Sequence, residues 1–425
     1  MRRALLLAGF AGLVLPAPAA HSQRAAPLSP SLIDDVRYLA DDRLGGRMTG
    51  SPGADTAAAY LARRFAAAGL QAAPGGWFQT FTIAADAPTA RSANVGGKVG
   101  RNVIGILPGR DPALRNETII IGAHYDHLGM GGYGAMDAPD STGRIHNGAD
   151  DNASGAASLI HIARALAAAP RARTVVFIAF SGEELGLFGS NYYVKHAVYP
   201  LDRTLAMINL DMVGRLRNDR LIVYGTATAT EFPGLLDSLN TQPRFDIKGQ
   251  GDGYGPSDQS SFFAAHRPVL HLFTDLHSDY HRTTDDWQKI NADGMARIVA
   301  FAARLATALA NRPAPLTFVD QAPPAAAHAG VAVTAGYGAY LGSIPDMSES
   351  PGGVRLSGVR AGSPADKAGI RGDDIITRIG DAEVGDLQGM TDALRAHRAG
   401  DTVDIVVRRG TETVTLRTTL GTRSN

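Results

Sequence analysis

Apolar residues recur at helical spacing from Ser31 to Leu70, with a Gly-rich interruption at Leu44–Gly53 (LGGRMTGSPG) and a well-defined second helix over Ala54–Ala68. Trp77–Ile83 and Asn102–Leu107 alternate like strands. The dense Ile run Glu117–Ala123 suits a strand buried on both faces. The same texture then repeats. Ala153–Ala169 is a helix pattern, Thr174–Phe180 (TVVFIAF) a buried strand, Leu185–His196 a helix, Thr204–Leu210 a strand. Arg220–Tyr224 and Pro268–Phe273 are further strands, and Ala292–Asn311 is a long amphipathic helix. Apolar strands alternating with helices predict an α/β fold with a mostly parallel central sheet flanked by helices, over residues 31–311. Residues 312–329 are rich in Pro and Ala without a period and form an expected linker. From residue 330 to 425 the pattern changes to short alternating strands (Gly353–Val359, Asp374–Ile379, Thr402–Arg408, Thr411–Thr418) with one helix near Leu387–His397. This predicts a second, small β-rich domain.

Charge narrows the partners. Lys plus Arg number 41 and Asp plus Glu number 41, so neither balance nor any long like-charge run points to nucleic acid or an anionic membrane. The first residues have the order of a secretory signal: Arg2 and Arg3, the apolar run Ala4–Leu15, then Ala17-Pro18-Ala19, with cleavage expected after Ala19. The expectation is a secreted or periplasmic protein without stable membrane insertion, because no later segment has an apolar run of spanning length. The chain has no cysteine, which removes disulfides, lipoprotein anchors, cysteine nucleophiles and thiolate ligands. Any metal must be held by His, Asp and Glu.

Such residues stand after each buried strand of the first domain. His124, Asp126 and His127 follow the first, Glu183 and Glu184 the second, Asp211 the third, and His277, Asp279 and His281 the last. In an open α/β sheet ligands bind beyond the carboxyl ends of the strands, so these groups can converge on one crevice. Asp150 and Asp151, in the turn NGADDNASG before a helix, fit ordinary helix capping when taken alone. Imidazole and carboxylate donors suit zinc, and several carboxylates beside two histidines suit two metals that share a bridge.

GAHYDHLG (Gly122–Gly129), GADDNASG (Gly148–Gly155), SGEELGLFGS (Ser181–Ser190), NLDMVG (Asn209–Gly214) and DYH (Asp279–His281) resemble, in order, the motifs of the co-catalytic zinc exopeptidases. That family includes bacterial leucyl aminopeptidases, glutamate carboxypeptidases and glutaminyl cyclases. The resemblance implies two Zn2+ ions: His124 and Asp211 on one, Glu184 and His281 on the other, Asp151 bridging. It implies that Asp126 orients His124, that Glu183 is the general base, and that Tyr280 stands near the substrate carbonyl. Gln259 stands where many members have His, and His281 is followed by Arg-Thr-Thr rather than Thr-Pro; both departures bear on the substrate pocket. His127, His146 and His277 remain alternative ligands.

The second domain also resembles a known module. Tyr340-Leu341-Gly342-Ser343 is similar to the carboxylate-binding loop of a PDZ domain, and Gly362–Asp381 to its central segment, which implies a C-terminal peptide ligand. The combined reading is a zinc aminopeptidase acting on peptides with a PDZ domain for peptide recruitment. The alternatives are a glutaminyl cyclase or carboxypeptidase of the same family, or a PDZ-centred binding protein with an inactive peptidase domain. A serine hydrolase is disfavoured because no GxSxG elbow occurs.

Overall fold

The computed structural model describes residues 31–85, 87–137, 142–241, 244–253, 257–320, 339–345, 352–359, 362–385, 389–390, 393–394 and 396–421. The expected signal segment 1–19 lies outside the described residues, as do the second half of the expected linker and part of the helix expected near Leu387–His397.

The first domain runs α1 (Leu32–Leu39), α2 (Pro52–Ala67), β1 (Gln71–Ala72), β2 (Phe78–Thr82), α3 (Pro88–Ser92), β3 (Val99–Leu107), β4 (Thr118–His124), α4 (Gly155–Ala168), β5 (Thr174–Phe180) and α5 (Phe188–Lys195). It continues with β6 (Thr204–Leu210), β7 (Arg220–Tyr224), α6 (Phe232–Leu239), β8 (Asp246–Gly249), α7 (Gln259–Ala264), β9 (Val269–Phe273) and α8 (Ala292–Asn311). Among the described residues these strands form one sheet in the order β1-β3-β5-β4-β6-β9-β7-β8, with β2 also paired to β3.

The central neighbours β5, β4, β6 and β9 are parallel, whereas β3 joins β5 and β7 joins β9 antiparallel. The expected parallel sheet is therefore the middle of a mixed one. Every residue of β4, β5, β6 and β9 is buried, which explains why these strands are apolar runs rather than alternating patterns. One face packs against α1, α2, α4 and α8 through Leu61, Phe65, Leu159, Ile298, Phe301 and Leu305. The other face packs against α5 and α7 through Phe180, Tyr193, Met207, Phe262 and Phe263. Burying one such Phe side chain stabilises the fold by roughly 1.5–3 kcal/mol.

Three helices have side-chain caps that match their starts. Ser51 accepts from the Ala54 amide, Asn291 from Gly294 and Ser363 from Asp366. The strand β8 and helices α6 and α7 were not expected from the sequence. β8 is largely exposed, and the two helices are short, so neither carries a full period of apolar positions.

The expected linker begins with order. The Thr230 amide donates to the Thr317 carbonyl, Val319 donates to Thr228, and the Phe318 ring lies 5.7 Å from that of Phe263. Residues 317–319 thus extend the first domain, and the aperiodic Pro and Ala content hid this short pairing.

The second domain has β10 (Ser343–Pro345), β11 (Val354–Val359), α9 (Pro364–Lys367), β12 (Ile375–Ile379), β13 (Ala382–Glu383), β14 (Thr402–Arg409) and β15 (Glu412–Thr419). Its strands pair antiparallel in the order β10-β11-β12-β14-β15, with β13 on β12. Leu356, Ile370, Ile376, Ile379, Ile405 and Val407 form its own core. No helix among the described residues is long and apolar enough to cross a membrane.

Candidate active site

Three parallel strands end in the acids and histidines. His124 closes β4, Glu183 and Glu184 follow β5, and Asp211 follows β6; the loop after β9 carries His281. Because β4, β5, β6 and β9 run parallel, their carboxyl ends place these groups side by side. Asp151 comes from the turn before α4, where the Asp151–Asn152 peptide is cis.

Asp151 is the centre of the arrangement. Its Oδ1 lies 3.3 Å from His124 Nε2 and its Oδ2 3.1 Å from His281 Nε2. Asp211 Oδ1 lies 3.3 Å from the same His124 nitrogen, and Glu184 Oε2 lies 3.1 Å from His281 Nε2. Two donor sets, His124–Asp211 and His281–Glu184, thus share one carboxylate. Glu183 stands beside them, 3.9 Å from His124 Nε2.

The donor set fits zinc. Ligand atoms about 2.0–2.2 Å from a shared tetrahedral zinc lie about 3.3 Å from each other, close to the separations here. His124 Nε2 and Asp211 Oδ1 are buried and have no hydrogen-bond partner, as expected of atoms whose partner is a cation. Atoms of His124, Asp151 and Glu184, and likewise of His124, Glu183 and Asp211, lie within 4.8 Å of one another. Four carboxylates around two imidazoles leave a surplus of negative charge that two divalent cations would balance. Burial alone would depress both imidazoles, yet Asp211 and Glu183 hold His124, and Glu184 and Asp151 hold His281, well above the ordinary histidine value.

The surrounding groups orient the donors. His124 Nδ1 donates to the Asp126 main-chain carbonyl at 3.2 Å, while the Asp126 carboxylate is 3.8 Å away. Asp126 therefore reaches His124 through its backbone. Its carboxylate accepts from Thr49 Oγ1 (3.0 Å) and from the Glu183 amide (3.3 Å). His127 Nδ1 donates to Glu184 Oε1 at 2.7 Å, and His281 Nδ1 donates to the Gly134 carbonyl at 3.0 Å. Such partners fix the tautomer and the ring angle of a ligand.

Burial, followed by the repulsion of Glu184, Asp211 and Asp258, pushes the Glu183 carboxyl well above its ordinary value, against the opposing pull of His124. Burial also raises Asp258 to about 7.

The other candidates stand apart. His146 pairs with Asp137, and His277 Nε2 pairs with Asp150 Oδ2 at 3.1 Å. The Tyr280 ring stacks on the His281 ring with centroids 3.9 Å apart, so it packs against a donor. Gln259 is fully buried and accepts from Asn209, which places it behind the strand ends. In the second domain Tyr340 bridges to Gly421, and Gly342 has φ +81 with its added Cβ only 2.2 Å from Ser363 Cβ. A cavity of about 440 Å³ lined by Asn116, Glu117, Asp202, Arg267 and Phe318 lies at the amino ends of the strands, and none of the candidate donors around Asp151 lines it.

Two parts of the site escaped the sequence. Arg47, 1% exposed, donates to the carbonyls of Leu39, Tyr125 (2.7 Å), Asn147 (2.7 Å) and Gly148 (3.0 Å), and burial lowers it to about 10. It clamps the Asp151 turn to the loop after β4, but an Arg in a Gly-rich break carries no signal of that. Gly148 has φ +53, and a Cβ there would meet the Asp151 carbonyl at 2.1 Å and the His127 ring at 2.4 Å. Only glycine fits.

Residues 102–306 match the model of peptidase family M28, and residues 336–420 match that of a PDZ domain. The chain carries an M28 peptidase domain followed by a PDZ domain. The M28 domain is similar to aminopeptidase YwaD of Bacillus subtilis, 36% identical over 118 residues, which is 28% of this chain and 22% of that protein. It is also similar to leupeptin-inactivating enzyme 1 of Streptomyces exfoliatus, 29% identical over 297 residues, 67% of this chain and 58% of that protein. The chain therefore covers less than two thirds of these relatives. A zinc aminopeptidase structure from Bacillus subtilis shares the fold (TM-score 0.53, 18% identity, 68% of this chain and 97% of that one). So does a glutaminyl cyclase from Porphyromonas gingivalis (TM-score 0.52, 19% identity, 65% and 96%).

Proposed function

We propose that the protein is a zinc-dependent exopeptidase, an aminopeptidase that removes N-terminal residues from peptides, with two Zn2+ ions held by its M28 domain. The observation that carries this reading is Asp151, whose two oxygens each face a different histidine, each histidine having a second carboxylate beside it. His124 and Asp211 would hold one ion, His281 and Glu184 the other, and Asp151 both. When bound, the ions supply Lewis acidity that polarises the scissile carbonyl and lowers the pKa of water.

The protein's own residues do the rest. Glu183 takes the proton of the attacking water and passes it to the leaving amine, from a position 3.9 Å from His124 Nε2 and outside both donor pairs. Its amide hydrogen bond to Asp126 fixes where the loop after β5 begins, and the Asp126 carbonyl holds the His124 ring in place. His127 steadies Glu184, and Gly134 steadies His281. Arg47 and Gly148 keep the Asp151 turn pressed against these loops.

The PDZ domain is assigned to peptide recruitment through Tyr340, Leu341, Gly342 and Ser343. The apolar run Ala4–Leu15 after Arg2 and Arg3 supports export to the periplasm or beyond; cell fractionation that finds the full chain in the cytoplasm would refute this.

The test of the chemistry is metal content and substrate choice. The protein is loaded with zinc and assayed on leucyl, C-terminal acyl amino acid and N-terminal glutaminyl substrates. Chelator-sensitive release of N-terminal residues is expected. Turnover confined to glutaminyl cyclisation or C-terminal cleavage would replace aminopeptidase with the cyclase or carboxypeptidase alternative. Asp151→Asn is expected to lower zinc content at both sites at once; retention of two ions would sink the bridge.

A further inference from the structure

The loops after β6 and β9 and the Asp151 turn are joined by an ionic lattice around the buried Asp285. Asp285, fully buried, lies four residues beyond His281. Its Oδ2 accepts from the amides of both Asp150 (2.9 Å) and Asp151 (3.1 Å), and its own carbonyl accepts from the Ala149 amide (2.9 Å). Its Oδ1 accepts from Arg215 Nη2 at 3.0 Å. Arg215, four residues beyond Asp211, also reaches Asp279 at 3.2 Å, and Asp279 in turn accepts from Lys289 at 2.6 Å. Asp150 completes the frame, accepting from the Gly214 amide at 2.6 Å and facing His277.

The geometry points to Asp285, braced by Arg215, as a positioning residue that sets the Asp151 carboxylate between His124 and His281. The physical reason is the pattern of bonds. One carboxylate oxygen takes the amide of Asp151 and the amide just before it, that of Asp150, so the backbone leading into Asp151 cannot rotate without breaking two charge-assisted hydrogen bonds. The other oxygen is held by a guanidinium carried on the Asp211 loop, whose Nη2 donates to both Asp279 and Asp285 and ties that loop to the His281 loop. Three of the segments that supply donors, the Asp151 turn and the loops after β6 and β9, therefore share one fastening point that touches no donor side chain. Asp285 lies within the reading of the site as a two-zinc centre, and the inference rests on that reading for its consequence.

The test uses the full chain. In metal-stripped protein, amide hydrogen exchange is followed in peptides covering Ala149–Asn152 and, as a control, the buried strand Thr118–His124. Asp285→Ala is expected to speed exchange in the turn about tenfold or more and to leave the strand unchanged. Zinc titration of the same variant is expected to show affinity weakened by about tenfold or more, the size typical of losing a partner that orients a metal ligand. Asp285→Asn, which keeps an acceptor for the amides, is expected to recover part of both. Exchange and zinc affinity equal to wild type would overturn the assignment. So would exchange that rises equally in turn and strand, which marks a general loss of stability. If Asp285→Ala does not fold, Arg215→Met decides: the same changes in direction support the brace, and wild-type behaviour overturns it. A wild-type protein that binds fewer than two zinc ions would refute the metal reading alone, because the exchange measurement needs no zinc.

Discussion

Glu183 is the residue on which the proposed chemistry turns. It is nine-tenths buried, lies 3.9 Å from His124 Nε2, and is not needed to complete either donor pair around Asp151. Replacing it should remove proton transfer and spare metal binding. Glu183→Gln is expected to keep two zinc ions per chain and to lose turnover by about a hundredfold or more, read as kcat on a leucyl substrate beside metal analysis. Unchanged kcat would refute the base assignment. The residue scale is also where the sequence was most informative. The donors His124, Asp151, Glu184, Asp211 and His281 all belong to short motifs, and the structure brings them within reach of one another. The contacts that aim them were less legible: Gly134 acts through a carbonyl that every residue type possesses, and Asp126, named from the resemblance, reaches His124 through its backbone rather than its carboxylate.

At the scale of elements, α1, α2 and α4 meet at Asp35. Burial pushes this carboxyl up, but hydrogen bonds from His161 (2.8 Å), Arg64 (2.7 Å) and Tyr60 (2.5 Å) outweigh burial and hold it below its ordinary value. A folded-state pKa below the unfolded one stabilises the fold above the unfolded value, about 3.9, and this stabilisation is lost as pH falls through the lower folded value. Urea unfolding of wild type is therefore expected to weaken below about pH 4, with Asp35→Asn less stable at pH 7 but showing a shallower acid limb. Parallel curves for the two proteins would show that this network does not couple to pH. The helices themselves were expected from their periodicity. Their junction was not, because Asp35, Arg64 and His161 lie on separate helices and each alone resembles an ordinary surface residue.

At the scale of the whole molecule, peptide recruitment and catalysis are assigned to different domains, so they should be separable by substitution. Gly342 needs a positive φ and has Ser363 against it, so Gly342→Val is expected to distort the loop before β10. The expected outcome is loss of binding to C-terminal peptides, measured by fluorescence titration, with hydrolysis of a small leucyl substrate unchanged. Loss of both would refute independent roles. The sequence by itself determined the central strands and long helices, since burial on one face leaves a period that can be counted and burial on both faces leaves an apolar run. It also named the candidate donors and marked a change of texture between a first and a second domain. Only the tertiary structure decided that antiparallel joins of β3 to β5 and β7 to β9 make the sheet mixed, that residues 317–319 pair with the first domain, and that Arg47, Asp285 and Arg215 fasten the donor loops. Each of those depends on contacts between residues far apart in the chain, made largely through main-chain carbonyls and amides. Such groups are the same at every position, so no pattern of side chains announces them.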